Sequence, residues 1–145
     1  MKVKDILKNK GPEVFTVGEE KSFLEAMKIL VVNKIGVLLV LNSSGKIIGI
    51  LSERDIIREC YKNPETFSNN KVKDAMTKEV IVVESEDDID YVESIMTKNR
   101  IRHLPVLHEK RLAGLISIGD IVKSLLTSTR TDNKYLFDYI SGGFK

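Results

Sequence analysis

The stretch GILSERD (Gly49–Asp55) returns sixty-five residues later as GLISIGD (Gly114–Asp120). In each, a Gly is followed by two apolar residues, a Ser, and an Asp three places beyond the Ser. Three more echoes precede this pair in the same order: VKDIL (Val3–Leu7) with VKDAM (Val72–Met76), EVFTV (Glu13–Val17) with EVIVV (Glu79–Val83), and NKIGVLLVL (Asn33–Leu41) with NRIRHLPVL (Asn99–Leu107). The chain is an internal duplication. Its offset shrinks from 69 to 66 to 65 along the copies, so length changes fall between echoes, where loops tolerate them.

Periodicity assigns elements to each copy. Val14–Val17 is a short β-rich run, and Ser22 with Glu25 forms a capping box opening a helix whose apolar stripe is Phe23, Met27, Leu30 and Val31. Val37–Leu41 and Ile47–Leu51, joined by the turn residues NSSG, predict a hairpin. Ser52 then starts a helix expected to turn Ile56, Ile57 and Tyr61 inward. The second copy repeats the order: a strand at Ile81–Val83, a helix through Ile89, Val92, Ile95 and Met96, a hairpin across Leu104–Ile116, and a helix from Ile118 to about Thr127. The unit is β-α-β-β-α and the expected class is α+β, two repeats packed with pseudo-two-fold symmetry, since one unit of this size buries too little apolar surface. The expected boundaries are 1–61 and 71–127 for the repeats, 62–70 (KNPETFSN and Asn70) for the linker, and 128–145 for a tail. In the tail Tyr135, Leu136, Tyr139 and Ile140 mark a short amphipathic helix ended by Gly142 and Gly143.

Composition narrows the function classes. With 42% apolar and 30% charged residues the 145-residue chain is of ordinary globular type, and no apolar run approaches the roughly 18 residues of a membrane helix. The charged start MKVKDILKNKGPE lacks the apolar core of a secretory signal, and the single cysteine, Cys60, reads as a small apolar filler; a cytoplasmic protein is expected, without a membrane partner. A net charge of +2 with no basic run disfavours nucleic acid. His103 and His108 have no Cys or Glu at metal-ligand spacing, and no phosphate-binding glycine loop or nucleophile elbow is present, so no catalytic residue, metal or catalytic cofactor is expected.

A β-α-β-β-α unit in tandem, each copy closing on Gly-apolar-apolar-Ser-x-x-Asp, resembles the cystathionine-β-synthase (CBS) domain pair, or Bateman module. SERDIIR (Ser52–Arg58), IRHLPV (Ile101–Val106) and SIGDIVK (Ser117–Lys123) resemble its small stand-alone bacterial members. The resemblance covers Val3 to about Leu126. It implies a regulatory, non-catalytic protein that senses energy or redox state by binding an adenine nucleotide (AMP, ADP, ATP or NAD, in some members S-adenosylmethionine) in clefts between the copies. It also implies a homodimer and a regulated protein that responds. The alternative is a structural dimerisation module whose clefts stay empty.

The residues carry that expectation unevenly. Ser52 and Ser117 are helix caps as well as candidate ligand contacts, whereas Asp55 and Asp120 fit a capping box less well than the longer Glu or Gln. An ionised Asp at a helix start can hold the two hydroxyls of a ribose, and the unpaired amides beside it suit phosphate. The copies differ where IGVLLV faces IRHLPV, setting Gly36 against Arg102, Val37 against His103 and Leu39 against Pro105. By analogy with related modules, Arg102 and His103 grip phosphate together with Ser52, Arg54 and Asp55, while Ser117 and Asp120 meet Gly36 and Val37. Thr16 is a weaker candidate hydroxyl. Pro105, which has no N–H, is expected at a strand edge or bulge that admits the adenine.

Overall fold

A computed structural model describes residues 1–127. The expected tail helix at Tyr135–Ile140 lies outside them. The chain forms two compact units: a continuous unit, Val14–Val80, and a split unit, in which Met1–Glu13 joins the chain from Ile81 onward. The units therefore cut the chain at different places from the sequence repeats, because the helix that leads each repeat belongs to the unit built by the other.

The continuous unit runs β1 (Thr16–Gly18), α2 (Phe23–Asn33), β2 (Val37–Leu41), β3 (Ile47–Ser52), α3 (Glu53–Lys62), a 3-10 turn at Phe67–Asn69 and α4 (Val72–Ala75). The split unit runs α1 (Val3–Lys10), then β4 (Val83–Glu84), α5 (Ile89–Asn99), β5 (His103–His108), β6 (Arg111–Ser117) and α6 (Ile118–Thr127). Each holds a three-stranded sheet, β1-β2-β3 or β4-β5-β6, with the first pair parallel and the second an antiparallel hairpin. The class is the expected α+β and each copy contains the expected β-α-β-β-α run, but a leading helix, α1 or α4, which the periodicity does not assign, precedes it.

Local chemistry repeats with the sequence. Helices α2 and α5 both end in a non-glycine residue of left-handed backbone, Lys34 (φ 54) and Arg100 (φ 53), a conformation costing roughly 1–2 kcal/mol. A Schellman pair offsets it in each: Ile35 N–H donates to Leu30 O and Ile101 N–H to Met96 O, while Asn33 and Asn99 bond back to Ile29 O and Ile95 O. The leading helices are fixed alike. Val72 N–H and Lys73 N–H donate to Lys21 O and Glu19 O, as Val3 N–H and Lys4 N–H do to Asp87 O and Ser85 O. Lys71 and Lys73 clamp Glu20, and Lys2 and Lys4 clamp Glu86, so the echoed Lys-Val-Lys is a docking phrase. Hydrogen bonds from Lys71 and Lys73 hold the Glu20 carboxyl down to about 2.

Each unit has its own core. Phe23, Leu38, Val40, Leu51 and Val72 centre one, with Phe67 of the expected linker edge-on to Phe23; Val3, Val92, Leu104, Ile116 and Ile121 centre the other. Two expectations about helix faces fail. Val31 is 75% exposed, and α3 leaves Ile57 (70%) and Tyr61 (87%) to solvent. The residues α3 buries are Asp55 and Glu59, with Ile56 and Cys60 beside them. The spacing is helical, but half the buried face is carboxylate.

Pro105 is also corrected: it is buried in the central strand of its sheet, and the register shift falls after Val106, as it does after Val40 in the proline-free copy. Its effect is on the neighbour. Leu39 N–H donates to Phe15 O, and Thr16 pairs with Leu39; with no N–H at Pro105 the matching pair is missing, and β4 begins one register later, at Val83 opposite Val106.

Candidate functional site: two strand-to-helix junctions

In both copies a strand passes into a helix with no loop, and the Ser-x-x-Asp phrase is the hinge. Ser52 N–H donates to Asp55 Oδ2 (2.9 Å) and Asp55 N–H to Ser52 Oγ (3.4 Å). Ser117 N–H donates to Asp120 Oδ2 (2.9 Å) and Asp120 N–H to Ser117 Oγ (3.1 Å). Both are reciprocal capping boxes, so the shorter Asp does reach back, contrary to expectation. The first helical amides are engaged too: Glu53 N–H donates to Gly36 O (3.1 Å) and Ile118 N–H to Arg102 O (2.9 Å). The expected supply of unpaired amides for phosphate is thereby reduced.

From this shared frame the two carboxylates diverge. Asp55 is 3% exposed, and both its oxygens are taken. Oδ2 receives the Ser52 amide and hydroxyl, and Oδ1 receives the Thr77 hydroxyl (3.0 Å) and the Arg58 guanidinium (3.0 Å). Thr77 is brought there by the end of α4, where it exchanges backbone bonds with Ile50 (3.0 and 2.9 Å). Gly49 permits this approach, since a Cβ there would strike Met76 Sδ. One turn on, buried Glu59 takes Asn63 (2.8 Å) and Asn70 (2.6 Å) on Oε1. Asp55 is the clasp of its own unit, with both carboxylate oxygens engaged by described residues.

Asp120 is held differently. Its side chain is 22% exposed, and Oδ2 receives Lys10 Nζ from the end of α1 at 2.6 Å. The same ammonium donates to Leu115 O (2.7 Å), where the continuous unit has the Ile50–Thr77 backbone pair. Oδ1 of Asp120 accepts no hydrogen bond from a described residue. Burial works to raise the Asp120 pKa, but the bonds from Lys10 and Ser117 outweigh it and leave it below its ordinary 3.8. Among the described residues, the junction thus keeps an ionised carboxylate with one unpaired oxygen beside an ammonium with one unpaired N–H.

The other candidates are dispersed. His103 is half-buried at the start of β5, paired in register with Ser117, and exposed Arg102 precedes it, so the backbone of the basic pair lies at the Asp120 junction. Val37 is buried, its side chain is apolar, and its backbone is paired in register with Ser52. Gly36 is half-buried against Glu53 Oε1, Arg54 is exposed, and Thr16 is exposed at the start of β1. Sequence reasoning missed Lys10, Arg58 and Thr77. The echoed VKD phrase was the available signal for Lys10 and Thr77, since Lys10 ends the helix that phrase opens in one copy and Thr77 follows its end by two residues in the other. A further feature is an open hollow of about 510 Å³ along α2 and α3, lined by Met27, Val31, Ile57, Lys34 and Glu53 among others. No cluster of three metal-ligating side chains occurs among the described residues, and no described helix is long and apolar enough to cross a membrane.

Comparison with known proteins agrees with this architecture. The CBS domain family model matches residues 3–62 and again 72–127. The mitochondrial CBS domain-containing protein CBSX3 of Arabidopsis thaliana is 31% identical over 98% of this chain and 73% of its own length. Among solved structures, the CBS-domain containing protein ATU1752 of Agrobacterium tumefaciens is 40% identical with a TM-score of 0.83, over 86% of this chain and 92% of that one. The CBS domain pair of protein MJ0100, solved in complex with 5′-methylthioadenosine and S-adenosyl-L-methionine, is 28% identical with a TM-score of 0.77, over 89% and 98%.

Proposed function

Since the chain belongs to the CBS-domain family and carries two such domains, we propose that it is a regulatory module that binds an adenine nucleotide and performs no chemistry of its own. The observation that carries this reading is that Asp120 Oδ1, beside Lys10, has no hydrogen-bond donor among the described residues. An ionised carboxylate with a free oxygen accepts from a ribose hydroxyl, and the spare N–H of Lys10 meets a phosphoryl oxygen. Arg102 and His103, at the same junction, supply further phosphate donors. The adenosine-containing ligands of the MJ0100 CBS pair support the ligand class. AMP, ADP, ATP and NAD share the ribose and phosphate that this chemistry reads.

Binding to the folded state alone raises stability by mass action, and a regulated protein that prefers the liganded state is coupled to the nucleotide reciprocally. Thermal melting of the full chain with AMP, ATP, NAD or S-adenosylmethionine tests the reading. A rise in Tm with at least one phosphate-bearing adenylate, lost in Asp120→Asn, is expected. The absence of a rise with every compound contradicts it.

A further inference from the structure

The two units close the outer edge of their hairpins differently. In the continuous unit Thr77, following the extended Met76 (φ −67, ψ 155), bridges the edge of β3. Ile50 N–H donates to Thr77 O (3.0 Å), Thr77 N–H to Ile50 O (2.9 Å), and the Thr77 hydroxyl to Asp55 Oδ1 (3.0 Å). In the split unit β6 is likewise the edge strand. The hairpins share their register, Leu39 opposite Ile50 and Pro105 opposite Leu115, so the Leu115 N–H and C=O also face outward. The echo sets Lys8 where the other copy has Thr77, but Lys8 lies inside α1, which runs on to Lys10. Lys10 Nζ meets Leu115 O (2.7 Å); among the described residues nothing accepts from the Leu115 N–H and nothing donates to Asp120 Oδ1. Lys10 and Asp120 are both partly exposed, so this edge is reachable from solvent.

Thr77 thus shows, in one copy, the chemistry that completes the other. An extended segment carrying Ser or Thr gives its C=O to the Leu115 N–H and its own N–H to Leu115 O, with Lys10 retreating to Asp120 alone. Its hydroxyl donates to Asp120 Oδ1. Backbone pairing of this kind is how peptides add to an open sheet edge, and the hydroxyl on an ionised acceptor supplies the selectivity. We propose that the β6 edge at Leu115 and Asp120 is a docking site for an extended, Ser- or Thr-bearing segment of the regulated protein. Segment and adenylate then compete for Asp120 Oδ1, so nucleotide releases the partner; the competition alone rests on the nucleotide reading.

The probe is the end-blocked peptide DAMTKEV (Asp74–Val80), added to the isotope-labelled full chain and followed by amide NMR, with the melting transition as a folding control. Expected are a saturable shift of the Leu115 amide, no shift at Ile50, and about tenfold weaker binding of the same peptide carrying Thr77→Val. Asp120→Ala in the full chain is expected to bind the two peptides alike, which a merely structural loss would not produce. AMP is expected to displace the Thr peptide from the wild-type chain. A Leu115 amide unmoved up to the solubility limit of the peptide, equal binding of both peptides by the wild-type chain, or discrimination that survives in Asp120→Ala overturns the docking site. A Tm raised by AMP with the peptide still bound overturns the competition. Peptide binding with no Tm response to any adenylate removes the nucleotide reading while the docking site stands.

Discussion

Asp55 and Asp120 occupy the same place in a duplicated phrase, cap their helices with the same pair of bonds, and end in different chemical states. Asp55 is buried under the Thr77 hydroxyl and the Arg58 guanidinium, with both oxygens in use. Asp120 is partly exposed, with one oxygen in use among the described residues and Lys10 alone drawn from the leading helix. The difference arises outside the phrase. Helix α4 stops after Ala75 and turns Thr77 onto the strand edge, whereas α1 runs on to Lys10 and delivers an ammonium. One carboxylate has both oxygens engaged, and the other keeps one oxygen without a donor among the described residues.

The largest expected effect is on stability. Asp55→Ala removes a cap and leaves Thr77 and Arg58 without their acceptor, costing about 2–4 kcal/mol, whereas Asp120→Ala loses the cap and a partly exposed pair for about 1 kcal/mol. Urea unfolding of the two variants measures this, and equal losses break the comparison. A smaller effect sharpens it. The folded-state pKa of Asp120 is lowered, so its ionised form contributes stability that is fully present above its ordinary 3.8 and is lost as pH falls through the lowered folded value. The stability gap between wild type and Asp120→Asn is therefore expected to hold from neutral pH to just above 3.8 and to close below it; a gap unchanged in acid contradicts the assignment.

Much of the fold was legible in the sequence. The hairpins and the Ser caps are local signals that appear at the expected places, whereas the first strand of each copy starts about two residues later than expected and the VKD echo forms a helix that the periodicity does not assign. The inward face of α3 was not legible, because hydropathy assigns Ile57 and Tyr61 to the core and has no means of anticipating a buried Asp55 and Glu59 that are satisfied by Thr77, Asn63 and Asn70 from distant segments. Lys10 escaped for the same reason: its partners, Asp120 and Leu115, are more than a hundred residues away. Pro105 was readable as a missing donor but not as a central-strand residue, because the strand that loses the bond is its neighbour β4. At the site, the phrase identified both junctions, and only the partners each carboxylate acquires in the folded chain distinguish the closed one from the open one.

A crystal structure of the full chain at saturating AMP tests that distinction most directly. Ribose hydroxyls on Asp120 Oδ1, with the Asp55 contacts to Thr77 and Arg58 unchanged, are expected. A ribose held by Asp55, with Thr77 and Arg58 displaced and Lys10 still seated alone on Asp120, contradicts the account.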